Sequence, residues 1–158
     1  MQIRPIRETD NQQLGALIQQ VLKEFKANKP GTAYYDDSLY ELYQVFSEPA
    51  SAYWVAEEDG KIIGGGGLYP TAGLPDGCCE LVKLYLLPEA RGKGIGGKLM
   101  TQCLEAAPSL GYSQVYLETM PELTSAIPMY EKLGFTYLSG PLGQSGHFGC
   151  SVWMLREV

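Results

Sequence analysis

The sequence is poor in most of what marks a special environment. It holds one histidine, two tryptophans and four cysteines in 158 residues. Cys78, Cys79, Cys103 and Cys150 show no metal-ligand spacing, and the adjacent pair would point to opposite faces of a strand. Thiols without a framework predict a reducing cytoplasm, and no metal is expected. No apolar run approaches the ~20 residues of a membrane span, so no membrane partner is expected. Met1-Gln2-Ile3-Arg4-Pro5 lacks a signal-peptide core. Positive charge is scarce too. Twelve Lys and Arg against 18 Asp and Glu leave a formal charge of −6, which speaks against nucleic acid as a partner. The acidic excess reads first as solubility and second as a mild preference for cationic acceptors such as amines. No repeat or linker interrupts the chain, so residues 1–158 are expected to form one domain. A homodimer is compatible with the sequence but nothing in it requires one.

What is present reads as alternating strands and helices. Ile3 to Arg7 predicts a short strand, and Thr9 or Asp10 caps a helix to about Lys26. Leu14, Leu17, Ile18, Val21, Leu22 and Phe25 fall at helical spacing and form its core face. A second short helix is expected from Asp37 or Ser38 through Phe46, with Leu39, Leu42, Tyr43 and Phe46 inward. Ser51–Glu57 and Lys61–Ile63 flank Glu58-Asp59-Gly60, a hairpin signature. Gly64–Gly67 inside the second strand signals either a bulge or close approach by another backbone or ligand. A strand over Cys78–Leu87, a helix from Gly94 towards Ala107 and a strand at Gln114–Glu118 form a parallel crossover. A helix from Glu122 to Leu133 follows, with Pro128 tolerated near its first turn and Gly134 as its terminator. Thr136–Ser139 and Cys150–Arg156 close the sheet as an antiparallel pair. Crossover and hairpin together argue for a three-layer mixed α/β fold.

The chain is organised around the strand ending at Leu87-Pro88 and the loop Arg91-Gly92-Lys93-Gly94-Ile95-Gly96-Gly97. A glycine loop leaves its N–H groups uncovered, and a helix N-terminus adds aligned dipoles, so this is a seat for phosphate. Three motifs compete for it. Gly92-x-Gly94-x-x-Gly97, with Glu118 about twenty residues on, matches a dinucleotide fingerprint, but Pro88–Arg91 separates strand from glycine where a tight turn is needed. Gly92-x-x-x-x-Gly97-Lys98 is nearly a P-loop, but Leu99 replaces the hydroxyl that holds Mg²⁺. An NAD- or ATP-dependent enzyme is thus the weaker alternative.

The third motif is Arg91-x-x-Gly94-x-Gly96, and Tyr130-Glu131-Lys132-Leu133-Gly134-Phe135 lies downstream. With both in this order, the sequence resembles the GCN5-related N-acetyltransferase (GNAT) superfamily from about Ser51 to Phe135, and more weakly before that. The resemblance implies a GNAT-type three-layer α/β fold, with a mixed, mostly antiparallel central sheet, one splayed parallel strand pair and helices on both faces. It implies acetyl-CoA as cosubstrate and an amine of a small molecule or protein as acceptor. Backbone from Arg91 to Gly97 would seat the diphosphate. The pantetheine arm would pair with backbone at Leu84, Tyr85, Leu86 and Leu87. The Leu86 amide would polarise the thioester carbonyl. Arg91 itself either pairs a phosphate or stays solvated. Many family members carry Asn where Leu123 stands, so that pantetheine contact is not carried over.

Acetyl transfer also needs an acid for the leaving thiolate and a base for the amine. By resemblance Tyr130 stands over the coenzyme sulfur as acid; its other reading is a core tyrosine. Glu80 lies eleven positions before Arg91, the offset of the catalytic glutamate in the histone-acetyltransferase branch. Strand alternation puts Glu80, Val82, Leu84 and Leu86 on one face, where an acid in an apolar row would titrate near neutrality. Glu118, His147 and water are the other candidate bases. The N-terminal helical pair is expected to wall the acceptor site, which makes Tyr34, Tyr35, Asp36 and Asp37 candidate substrate contacts, or else a capping turn. The non-enzymatic alternative is an acyl-CoA sensor on the same fold, which would need neither Tyr130 nor Glu80.

Overall fold

The structure is a computed structural model that describes residues 1–124 and 126–158. Strand β1 (Gln2–Pro5) ends two residues earlier than the pattern suggested. The Asp10 carboxylate accepts the Arg7 backbone N–H at 2.7 Å and turns the chain there. Asp10 therefore caps this turn rather than helix α1 (Asn11–Glu24), which starts with no side-chain cap. The same carboxylate accepts from Arg4 Nη1 and Nη2 at 2.8 and 2.9 Å, and Glu57 also accepts from Arg4 Nη2 at 3.1 Å. Arg4 and Asp10 are both buried. Removing one partner strands a buried charge, so Asp10→Asn is expected to cost about 3 kcal/mol, read as a lower urea midpoint.

The predicted stripe of α1 buries Leu14, Leu17, Ile18, Val21 and Leu22, while Phe25 is only partly covered. Helix α2 is a single turn, Leu42–Val45. The expected longer helix fails because residues 36–41 form turns instead, although Leu39, Leu42 and Phe46 are buried as expected. Tyr43 is only half-buried. Strands β2 (Ala52–Glu58) and β3 (Lys61–Tyr69) form the expected hairpin. Asp59 and Gly60 both take positive φ, 50° and 78°, the geometry a two-residue turn requires.

Strand β4 (Cys78–Leu86) leads through a short 3₁₀ turn into helix α3 (Ile95–Ala106) and strand β5 (Gln114–Thr119). Helix α4 covers only Ile127–Lys132, with Pro128 in its first turn. The expected start at Glu122 gives way to turns at 121–124; Ser125 lies outside the described residues. Gly134 ends the helix at φ 89°. Strands β6 (Thr136–Tyr137) and β7 (Val152–Glu157) pair antiparallel. The sheet order is β1-β2-β3-β4-β5-β7-β6. Among the described strands the one parallel pair is β4–β5, at the middle, as expected, and helices cover both sides.

Two departures from regular pairing shape the site. Cys78, Cys79 and Glu80 pair with Gln114, Val115 and Tyr116, and pairing then stops. The two strands continue to Leu86 and Thr119 with a gap between them. Second, β4 bulges. Gly65 faces Tyr85 and Gly67 faces Val82, so Gly66 alone spans Lys83 and Leu84. Lys83 sits at φ 52°, and its carbonyl accepts the Tyr53 hydroxyl at 2.7 Å. The glycines opposite make room for this. A Cβ on Gly65 would lie 2.7 Å from the Tyr53 hydroxyl, and one on Gly66 2.8 Å from Leu84. The bulge lies across from the glycines, in β4, and another backbone does come close to them: a Cβ on Gly67 would lie 2.4 Å from the Ala52 carbonyl oxygen.

The bulge overturns the single-face expectation for β4. Before it, Cys79 and Leu81 pack with Met100 and Cys103 of α3, and Glu80 and Val82 point away. After it, even-numbered Leu86 lies on the α3 side, against Gly96. Glu80 and Leu86 therefore serve opposite faces.

Candidate active site

The loop after β4 has the geometry of a phosphate seat. Gly92 and Gly94 adopt φ 75° and 77°, and a Cβ on Gly92, Gly94 or Gly97 would meet nothing within 4 Å. The first helical hydrogen bond runs from Lys98 N–H to Gly94 C=O. The amides of Ile95, Gly96 and Gly97 thus have no intrahelical partner and open outward. The Arg91 side chain is half-buried and paired. It binds Glu24 at 2.6 and 3.0 Å, donates to Leu86 C=O at 2.9 Å and lies 4.8 Å from the centre of the Phe25 ring.

A cavity of about 230 Å³ runs from this loop along the end of β4, with Val21 and Phe25 of α1 on one side and Met129 and Tyr130 of α4 on the other. Leu84, Tyr85, Leu86, Arg91, Gly92, Gly94, Gly96, Gly97 and Tyr130 all line it. Leu87, Lys93 and Ile95 are not in its lining: Lys93 is exposed, and Ile95 has a core side chain with its amide on offer. Leu87 N–H donates to Ile63 C=O at 2.9 Å, so it is committed to β3. Alternation then points the Leu86 N–H and C=O into the gap, consistent with Arg91 reaching that carbonyl, and turns the Tyr85 amide towards β3. Burial pushes the Tyr130 phenol upward, and its ring packs against Phe135 at 6.0 Å.

A second cavity, about 450 Å³, lies on the other face. Phe46, Tyr69 and Val82 form an apolar wall; Asp36, Asp37, Lys83 and His147 are polar. Glu80 is 3 % exposed at its base and accepts the Thr71 hydroxyl at 2.6 Å. Burial pushes Glu80 up to about 7, with the nearby Glu118 adding to the rise and Thr71, His147 and Lys83 opposing it. Asp36 resists the effect of its own burial, because His147 and Lys83 hold it below the usual carboxylate range. Lys83 Nζ is 2.7 Å from Asp36, and His147 Nε2 2.9 and 3.0 Å from its two oxygens. An ionised carboxylate only accepts, so His147 Nε2 carries a proton towards Asp36.

The three candidate bases converge. Glu80, Glu118 and His147 each place one ligand-type atom within 4.8 Å of the others, a group that could also hold a cation. Glu118 is held by the Tyr116 hydroxyl at 2.7 Å and by the Ser145 hydroxyl. A small cavity of about 40 Å³ lies where β4 and β5 part; it shares Tyr85 and Leu123 with the first cavity and Glu80 and His147 with the second, and Glu118 borders it. Of the predicted acceptor contacts, Asp36 and Asp37 line the second cavity; Tyr34 and Tyr35 do not, and Tyr35 is 57 % exposed. The 3₁₀ turn Ala33–Tyr35 buries Ala33 instead. Sequence reasoning missed Thr71, Tyr69, Ser145 and the bulge at Lys83. Only the Gly64–Gly67 run signalled that something unusual lay opposite.

The parallel pair whose pairing stops at Tyr116, the uncovered helix N-terminus and the neighbouring cavities characterise this α/β domain. The chain matches the Acetyltransferase (GNAT) family over residues 16–135 and belongs to it. It is 44 % identical over 158 residues to the uncharacterized N-acetyltransferase YjgM of Escherichia coli (strain K12), covering 99 % of this chain and 94 % of that one. It is 36 % identical over 118 residues to human N-acetyltransferase 8B, covering 70 % of this chain but 52 % of that protein. Its fold matches a GNAT acetyltransferase from Staphylococcus aureus Mu50 at TM-score 0.87 and 19 % identity, covering 99 % and 98 % of the two chains. The chain is an N-acetyltransferase by family. Among the described residues, no helix is long and apolar enough to cross a membrane.

Proposed function

We propose that this chain transfers an acetyl group from acetyl-CoA directly to a primary amine of a small molecule or protein, in a ternary complex. One observation carries this reading: a cavity at the glycine loop holding Tyr130 and a cavity holding Glu80 both border the same small cavity between β4 and β5. A structural neighbour supports the choice of coenzyme. PaiA N-acetyltransferase from Thermoplasma acidophilum, matched at TM-score 0.75 and 20 % identity over 99 % of this chain and 98 % of its own, was solved in complex with coenzyme A. The residues present fit such a ligand. First-turn amides face open space for a diphosphate, and the unpaired edge of β4 offers Leu86 N–H to an amide-bearing arm.

When bound, acetyl-CoA supplies the activated acyl carbon and a thiol leaving group. The Leu86 N–H donates to the oxygen on which charge develops. Glu80, directly or through water, takes the proton from the attacking amine as the C–N bond forms. Tyr130 donates towards the sulfur as the C–S bond breaks, so one proton enters at Glu80 and one leaves from Tyr130. Solvent resets both. A buried phenol is a weak acid, so its contribution is chiefly to steady the charge growing on sulfur. Tyr130→Phe is therefore expected to lower kcat about 10–100-fold, the low end of acid catalysis, with acetyl-CoA affinity unchanged. Free-thiol release across an amine panel, paired with calorimetric titration of acetyl-CoA, is the test. An unaltered kcat in Tyr130→Phe under single-turnover conditions would remove the acid role. Coenzyme binding without turnover on any amine would favour a sensor. The proposed compartment is the cytoplasm, consistent with four unpaired thiols.

A further inference from the structure

We infer that the Thr119 hydroxyl is a binding group for the thioester arm of acetyl-CoA, an inference that rests on that coenzyme occupying the β4–β5 gap. Thr119 is 3 % exposed, and its Oγ1 is buried with no hydrogen-bond partner among the described residues. Buried side-chain hydroxyls nearly always have one. The backbone is already satisfied on the β7 side, where Thr119 C=O accepts the Ser151 N–H. The hydroxyl is the group left over.

Its position says what would complete it. Pairing between β4 and β5 stops at Tyr116, so Thr119 stands three residues further along, where the strands have separated. It lines the small cavity that borders the other two. Val115 and Leu117 pack in the cluster that contains Tyr130, and alternation along β5 places Thr119 with them, on the coenzyme side. Glu118, one residue earlier, turns to the opposite face with Glu80 and His147. A cationic amine would be drawn to that acidic face. On the Thr119 side the small cavity is walled by Leu81, Met120 and Leu123. A neutral hydroxyl in such a place suits a neutral amide or thioester carbonyl, which the coenzyme arm carries.

Two variants test this. Thr119→Val removes the hydroxyl at nearly constant shape. Because no protein bond is lost, its thermal midpoint without ligand is expected to equal or exceed that of the wild type. Its calorimetric Kd for acetyl-CoA is expected to be about fivefold weaker, the worth of one neutral hydrogen bond, with the KM for amine unchanged. Thr119→Ser is expected to restore the wild-type Kd to within about twofold, since it returns the same donor and acceptor. A Thr119→Val protein that binds acetyl-CoA as tightly as the wild type overturns the inference, as does one in which only the amine KM rises. A lowered midpoint with unchanged Kd would show that the hydroxyl serves the fold. If the wild type itself binds no acetyl-CoA, the functional reading fails and this inference with it.

Discussion

Glu80→Gln is expected to lose about 10²–10³-fold in kcat and at the same time to become more stable at pH 8. Both effects have one cause. Glu80 is almost fully buried, so its carboxyl is pushed from the usual 4.5 up to about 7. For an acid with a raised folded-state value, the proton is bound more tightly in the native state. The stabilisation this gives is complete below about pH 4.5 and is lost as pH rises through about 7. The rise of roughly 2.5 units corresponds to about 3 kcal/mol. Glutamine carries no charge at any pH, so the variant avoids that loss. At pH 8 its midpoint should exceed that of the wild type by about 6–10 °C for a domain of this size. At pH 4 the two should nearly coincide. In the pH profile of kcat/KM, the wild type rises through about 7 and the variant lacks that limb. The higher limb, from the amine's own titration, should remain in both. Equal stabilities at pH 8, or a retained limb near 7, would show that another group is the base.

The second large effect is expected of Gly97→Asp. Gly97 lies in the first turn of α3, its φ is not in the left-handed region, and a Cβ there meets no atom within 4 Å. The substitution adds a carboxylate where the diphosphate would sit. Two like charges about 4 Å apart repel by about 4 kcal/mol at an effective dielectric of 20, and screening reduces this. A Kd for CoA raised about 100-fold is therefore expected. The fold should not suffer, because an acid in a first turn is favoured by the helix dipole by about 0.3–1 kcal/mol. Gly96 is a poorer test, since a Cβ there would press on Leu86 at 3.2 Å and Met129 at 3.3 Å. A Gly97→Asp protein with a normal midpoint and a normal Kd for CoA would mean that the diphosphate binds elsewhere.

Local signals were legible wherever neighbours in sequence decide the outcome. Asp59-Gly60 specified a turn that needs positive φ, and the stripe from Leu14 to Leu22 specified the buried face of α1. The glycine loop and Tyr130 were found together because both belong to one motif pair. Illegible was whatever depends on groups far apart in the chain. His147 was a candidate base with no partner in view until the fold set it 2.9 Å from Asp36, 111 positions away. Strand alternation misplaced Glu80 relative to Leu86, because a bulge at Lys83 reverses the faces, and the Lys83 carbonyl is held by the Tyr53 hydroxyl thirty residues upstream. The short α2 and α4 were over-read as longer helices. Apolar spacing at Leu39, Leu42 and Phe46 is met equally well by turns that bury the same side chains.

The most direct test is a crystal structure with acetyl-CoA bound. The expected result has the diphosphate on the amides between Arg91 and Gly97, the arm in the β4–β5 gap, and the sulfur within hydrogen-bond reach of the Tyr130 hydroxyl, with Glu80 across the small cavity. A diphosphate seated away from the glycine loop, or a sulfur remote from Tyr130, would contradict the account.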